Sequence, residues 1–95
     1  MMKYEVHYTN KFKKQYKKIL KQGKEIKKLK MIVLKLANGE ELPPEFRNHR
    51  LYDNKYYRNC FECHIEADWL LIYTIEDSAL VLVLQSTGSH SELFY

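Results

Sequence analysis

The sequence predicts an α+β domain in which an N-terminal strand and a helical hairpin precede an antiparallel strand meander, with the helices packed on one sheet face. Three observations carry this. Between Lys11 and Lys35 apolar residues recur at three- and four-residue intervals, the period of a helix with one buried face. Pro43-Pro44 ends that pattern, because proline lacks an N–H and restricts the residue before it. Beyond the prolines the apolar residues fall in short strand-like runs separated by polar pairs. At 95 residues, 45% of them hydrophobic and 14% aromatic, the chain is long enough for one domain (1–95) with its own core.

Lys3 to Tyr8 alternates as a first strand, with Tyr4, Val6 and Tyr8 on one face. Thr9 or Asn10 can cap the helix that follows, since either side chain accepts a hydrogen bond from an early helical N–H. Phe12, Tyr16, Ile19 and Leu20 form its apolar stripe, and Gln22-Gly23 breaks it. A second helix is expected from near Lys24, with Ile26, Leu29, Ile32, Val33, Leu36 and Ala37 on its buried side. Asn38-Gly39 supplies residues that tolerate a left-handed C-terminal turn. Arg47 to Tyr52 reads as a short strand and Asp53-Asn54-Lys55 as a turn. Tyr57 to Ile65, Trp69 to Ile75 and Ala79 to Thr87 are the richer strands, joined by Glu66-Ala67 and Asp77-Ser78.

Charge is divided unevenly along the chain. Residues 1–50 hold 14 Lys and Arg against 5 Asp and Glu, whereas residues 51–95 hold 2 against 7. A basic half suggests a polyanionic partner, nucleic acid first among them, although a solvated lysine surface would look the same. No run approaches the ~18 to 20 apolar residues of a membrane span. The N-terminal residues lack the charged-then-apolar order of a secretory signal, so a cytoplasmic location is expected. Two cysteines cannot make a disulfide framework, and Cys60-x-x-Cys63-His64 lacks the second ligand pair of a zinc site. No metal and no cofactor is called for.

The register expected from two-residue turns sets His64 opposite Trp69 and Trp69 opposite Ser86, one row on one face. That face would also carry Arg58, Glu62, Leu71, Tyr73, Leu82 and Leu84. Phe61, Cys63, Leu70, Ile72, Val81 and Val83 would meet the helices. His49 precedes the meander, His64 ends a strand, and His90 follows the last strand after Thr87-Gly88-Ser89. These three can converge at one end of the sheet, while His7 lies in the first strand and is read as structural. Imidazoles titrate near neutrality, and RNA scission by its own 2′-hydroxyl needs a base, an acid and positive charge at the phosphate. Three unrelated surface histidines remain the alternative.

From Leu42 to Phe94 the chain resembles the YafQ branch of the RelE/ParE toxin superfamily, the toxin half of type II toxin–antitoxin pairs. The residues that carry the likeness are Arg47-Asn48-His49-Arg50-Leu51, the run Glu62 to Tyr73, and Thr87-Gly88-Ser89-His90-Ser91-Glu92-Leu93-Phe94. The lysine-rich hairpin before them fits the family's order of elements. The resemblance implies a ribosome-dependent endoribonuclease that cuts mRNA in the decoding site and is neutralised by a cognate antitoxin. It implies catalytic roles for His49, His64, Asp68 and His90, and a substrate contact for Phe94, with Trp69 beside Asp68 as in the family. His90 and His49 would exchange protons, His64 would hold the phosphate, and Asp68 would orient a histidine or act as base.

One departure stands out. The family commonly has Arg directly before the Thr-Gly segment, and this chain has Ser86 there. Arg50, Arg58 or a helix lysine would then supply the missing charge. Two other functions keep the same fold: a gyrase-inhibiting toxin of the ParE kind, and an RNA- or ribosome-binding module without chemistry. The partners implied are the antitoxin, rRNA and mRNA, with operator DNA met only through the antitoxin complex, and no membrane.

Overall fold

The computed structural model describes residues 2–52 and 54–94, so Asp53 of the expected turn lies outside the described residues. Strand β1 (Glu5–Tyr8) leads into helix α1 (Asn10–Lys21) and helix α2 (Ile26–Ala37). Then come a single 3-10 turn (Pro44–Phe46), strand β2 (His49–Arg50) and three longer strands, β3 (Phe61–Glu66), β4 (Trp69–Glu76) and β5 (Val81–Gly88). A five-residue helix, α3 (His90–Phe94), closes the chain. The sheet runs β1-β5-β4-β3-β2, antiparallel except that β1 lies parallel to β5. No described helix is long and apolar enough to cross a membrane.

The hairpin forms for the reasons its sequence supplies. Thr9 caps α1 by accepting the Phe12 N–H at 3.0 Å, which satisfies a donor the first turn cannot use. Both helices end in paired carbonyl bonds around a left-handed glycine: Gly23 to Leu20 and Lys24 to Ile19, then Gly39 to Leu36 and Glu40 to Lys35. The second helix begins at Ile26 rather than near Lys24, and Leu20 faces solvent. The main core lies between hairpin and sheet, where Phe12, Ile19, Leu29, Ile32 and Leu36 meet Cys63, Ile65, Trp69, Leu71, Tyr73, Leu82 and Leu84.

These strand residues correct the expected faces. The β3–β4 turn is Ala67-Asp68, with Glu66 opposite Trp69 and Ile65 bulged, so that His64 faces Leu70. The β4–β5 connection has four residues, Glu76 lying opposite Val81 and Leu80 adopting a left-handed φ of 54°. In β5 a second bulge at Gln85 brings Ser86 opposite Ile72. A one-residue shift turns every later side chain to the other face. Trp69, Leu71 and Tyr73 therefore meet the helices, while Leu70 and Ile72 lie on the far side. The row His64–Trp69–Ser86 does not form. Trp69 is 0% exposed, and its indole donates to Thr87 Oγ1 at 3.0 Å.

Candidate active site

The face turned away from the helices carries a small apolar floor of Tyr57, Cys60, Leu70, Ile72 and Leu93, flanked by Leu51 and Phe94. Cys60 thus belongs to this floor and Cys63 to the main core, where burial pushes its thiol up to about 12. Two rows cross the floor. His49, Glu62, Ile72 and Ser86 form one, and His64, Leu70 and Gly88 the other.

Glu62 joins two of the expected histidines. Its side chain is only 8% exposed, and its Oε1 lies 3.5 Å from Nε2 of both His49 and His64. The two imidazoles stand 6.5 Å apart, centre to centre. Nδ1 of His49 is 2.7 Å from the Arg47 carbonyl, and Nδ1 of His64 is 3.4 Å from the Ala67 carbonyl. Asn48, just before His49, accepts a 2.6 Å hydrogen bond from the Tyr73 hydroxyl, fixing the approach of β2. A buried carboxylate between two imidazoles favours their charged forms and holds their rings in place.

The third histidine stands at the same end of the sheet. The turn whose Ala67 carbonyl approaches His64 also supplies Asp68, and Asp68 Oδ1 accepts the backbone N–H of His90 at 2.9 Å. Asp68 thus holds the start of α3. The His90 ring lies 4.8 Å from that of Phe94, which meets the edge of Tyr57 at 5.5 Å. Lys11 reaches across from α1, donating to the Tyr57 hydroxyl at 3.1 Å.

The remaining candidates are placed differently. Ser86 is 0% exposed beneath this face, and its hydroxyl makes no hydrogen bond to any described residue, so it cannot contact substrate as expected. Trp69 is likewise withdrawn into the core, because the Ile65 bulge turns it toward the helices. Arg50 pairs with Phe61 and lies 6.0 Å from that ring, on the side opposite Glu62. Arg58 sits in the turn before β3, lining a surface hollow with Arg50, Tyr52 and Lys55. His7 lies on edge strand β1, beside Glu5. Glu62, Tyr57 and Lys11 were not among the expected site residues. Glu62 was legible as the same-face neighbour of His64, whereas Lys11 lies 46 positions from Tyr57 and left no local trace.

A mixed sheet backed by a helical hairpin, with two histidines on one carboxylate and a third histidine beside an aromatic ring, defines a small toxin-like domain with an acid–base site. The comparisons specify it further. Residues 4–95 match the family described as bacterial toxin of type II toxin–antitoxin system, YafQ. The chain is 34% identical over 96 aligned positions to the mRNA interferase toxin YafQ of Escherichia coli strain B, covering 99% of each. Its fold superposes on a chain of the E. coli DinJ–YafQ toxin–antitoxin complex with a TM-score of 0.87, at 29% identity over 99% of this chain and 100% of that one. A metal-bound toxin from Helicobacter pylori gives 0.88 at 35% identity, again over 99% and 100%. The chain belongs to the YafQ toxin family. Among its described residues no group of three or more His, Cys, Asp or Glu side chains is placed to hold a metal ion.

Proposed function

We propose that this chain is an mRNA interferase toxin that cleaves mRNA on the ribosome by internal attack of a 2′-hydroxyl. The name borne by its E. coli relatives, mRNA interferase toxin, supports the substrate class. The observation that carries the chemistry is the carboxylate-linked pair His49–Glu62–His64 on the same sheet end as His90 and Phe94. In the reaction a base removes the 2′-hydroxyl proton, the 2′-oxygen bonds to phosphorus, and the P–O5′ bond breaks as an acid protonates the leaving oxygen. The products are a 2′,3′-cyclic phosphate and a 5′-hydroxyl. His49 and His90 exchange these protons. His64, held beside Glu62, places charge at the phosphate, and Asp68 positions His90 through its backbone. Phe94 offers a ring face to a base, and Lys11 adds the cation nearest that ring pair.

The lysines of α1 and α2 grip rRNA phosphates, which makes ribosome binding salt-dependent. A cognate antitoxin neutralises the toxin, as the relative solved in complex with DinJ suggests. The substrate places the protein in the cytoplasm. The test is purified protein with mRNA, once on programmed ribosomes and once free, with ends mapped by primer extension. Cleavage confined to the ribosome and lost in His90→Ala is expected. Equal cleavage of free mRNA would overturn ribosome dependence.

A further inference from the structure

Helix α3 carries both His90 and Phe94 yet has only five residues, too few to keep a helical shape unaided. Side chains from elsewhere fix it. The Ser89 N–H donates to Glu92 Oε1 at 2.8 Å, and the Glu92 N–H donates to Ser89 Oγ at 3.2 Å, a reciprocal capping box. The other carboxylate oxygen, Oε2, is ion-paired with the Lys18 ammonium of α1. The Tyr57 hydroxyl donates to the Leu93 carbonyl at 3.2 Å, and Asp68 holds the His90 amide. Glu92 therefore has one oxygen on the cap of α3 and one on a different helix. The Lys18 ammonium and the Ser89 amide hold its carboxyl well down, at about 2, so it is ionised wherever the histidines titrate. Gly88 leaves the space this arrangement needs, since a Cβ there would stand 3.2 Å from Glu92 Oε1.

We infer that Glu92 is a positioning residue: by tying the cap of α3 to Lys18 it sets where His90 and Phe94 stand over the substrate. Lys18 then serves the active site rather than the grip on RNA phosphates. The inference rests on the reading of His90 given above. It is tested by single-turnover cleavage on programmed ribosomes, with ribosome concentration varied. Glu92→Ala, Glu92→Gln and Lys18→Met each lower the maximal rate, on the order of 10- to 100-fold for Glu92→Ala, with half-saturation unchanged. The double variant Lys18→Met/Glu92→Ala is no slower than Glu92→Ala, and Lys18→Arg keeps the wild-type rate. A Lys18→Met that raises half-saturation at an unchanged maximal rate assigns Lys18 to RNA and overturns the proposal. Wild-type cleavage by Glu92→Ala alongside an inactive His90→Ala overturns it too, leaving the site reading intact. Wild-type cleavage by His90→Ala overturns both.

Discussion

Ser86 gives a prediction whose size follows from its surroundings. Its hydroxyl is fully buried beneath the histidine face and has no hydrogen-bond partner among the described residues. An unpaired buried hydroxyl costs roughly 1–3 kcal/mol of desolvation, and replacing it by alanine removes a single oxygen. Ser86→Ala should therefore stabilise the fold by about 1 kcal/mol, where most core substitutions destabilise. For a domain of this size that gain raises Tm by roughly 4–8 °C. Urea denaturation checks the same quantity, and the midpoint should rise at unchanged slope. A loss of about 1 kcal/mol or more would refute the reasoning, because it would mean the hydroxyl is satisfied in the native state.

Further outcomes follow from the same geometry. Ser86→Arg restores the family's guanidinium to the row of His49 and Glu62, and should raise the cleavage rate by up to about 10²-fold at some cost in stability; single-turnover assays decide it. Glu62→Gln removes the charge shared by His49 and His64 while keeping size, and should lower the rate about tenfold or more with the melting transition retained. Trp69→Ala should destabilise by about 3–5 kcal/mol in denaturant titrations, since it empties the core and strips the Thr87 hydroxyl of a donor. The Glu92 carboxyl is held below its unfolded value, so its contribution to α3 docking is complete above the usual 4.5 and is lost as pH falls toward about 2. NOEs between the Phe94 and Tyr57 rings should weaken over that window and not above it. Cleavage should survive EDTA under conditions that leave the ribosome intact, and its loss would call for a metal.

Strong local patterns were legible in the sequence. The helix stripes ending at Gly23 and Gly39, the Thr9 cap and the three long strands all appear where the sequence places them, to within a few residues. What escaped depends on parity and on contacts distant in sequence. Extra residues at Ile65 and Gln85 and two added loop residues after Asp77 reversed the assignment of faces in β4, so Trp69 was read as a site residue. No two-residue turn rule foresees Leu80 at positive φ. The parallel pairing of β1 with β5 joins residues some seventy positions apart, as Glu5 with Val81. Helix α3 did leave a signal: Ser89-His90-Ser91-Glu92 is a capping-box sequence. The histidines were found by residue type. Glu62, which links two of them, needed the register of β3 against β2 to gain its meaning.

The central claim is that histidines move protons for a 2′-hydroxyl nucleophile. The most direct test places a single 2′-deoxynucleotide at the mapped cleavage position of an mRNA on programmed ribosomes. The account predicts that cleavage there stops, while the all-ribose message yields a 2′,3′-cyclic phosphate and a 5′-hydroxyl. Scission of the deoxy-substituted message at the wild-type rate would contradict it and require another nucleophile.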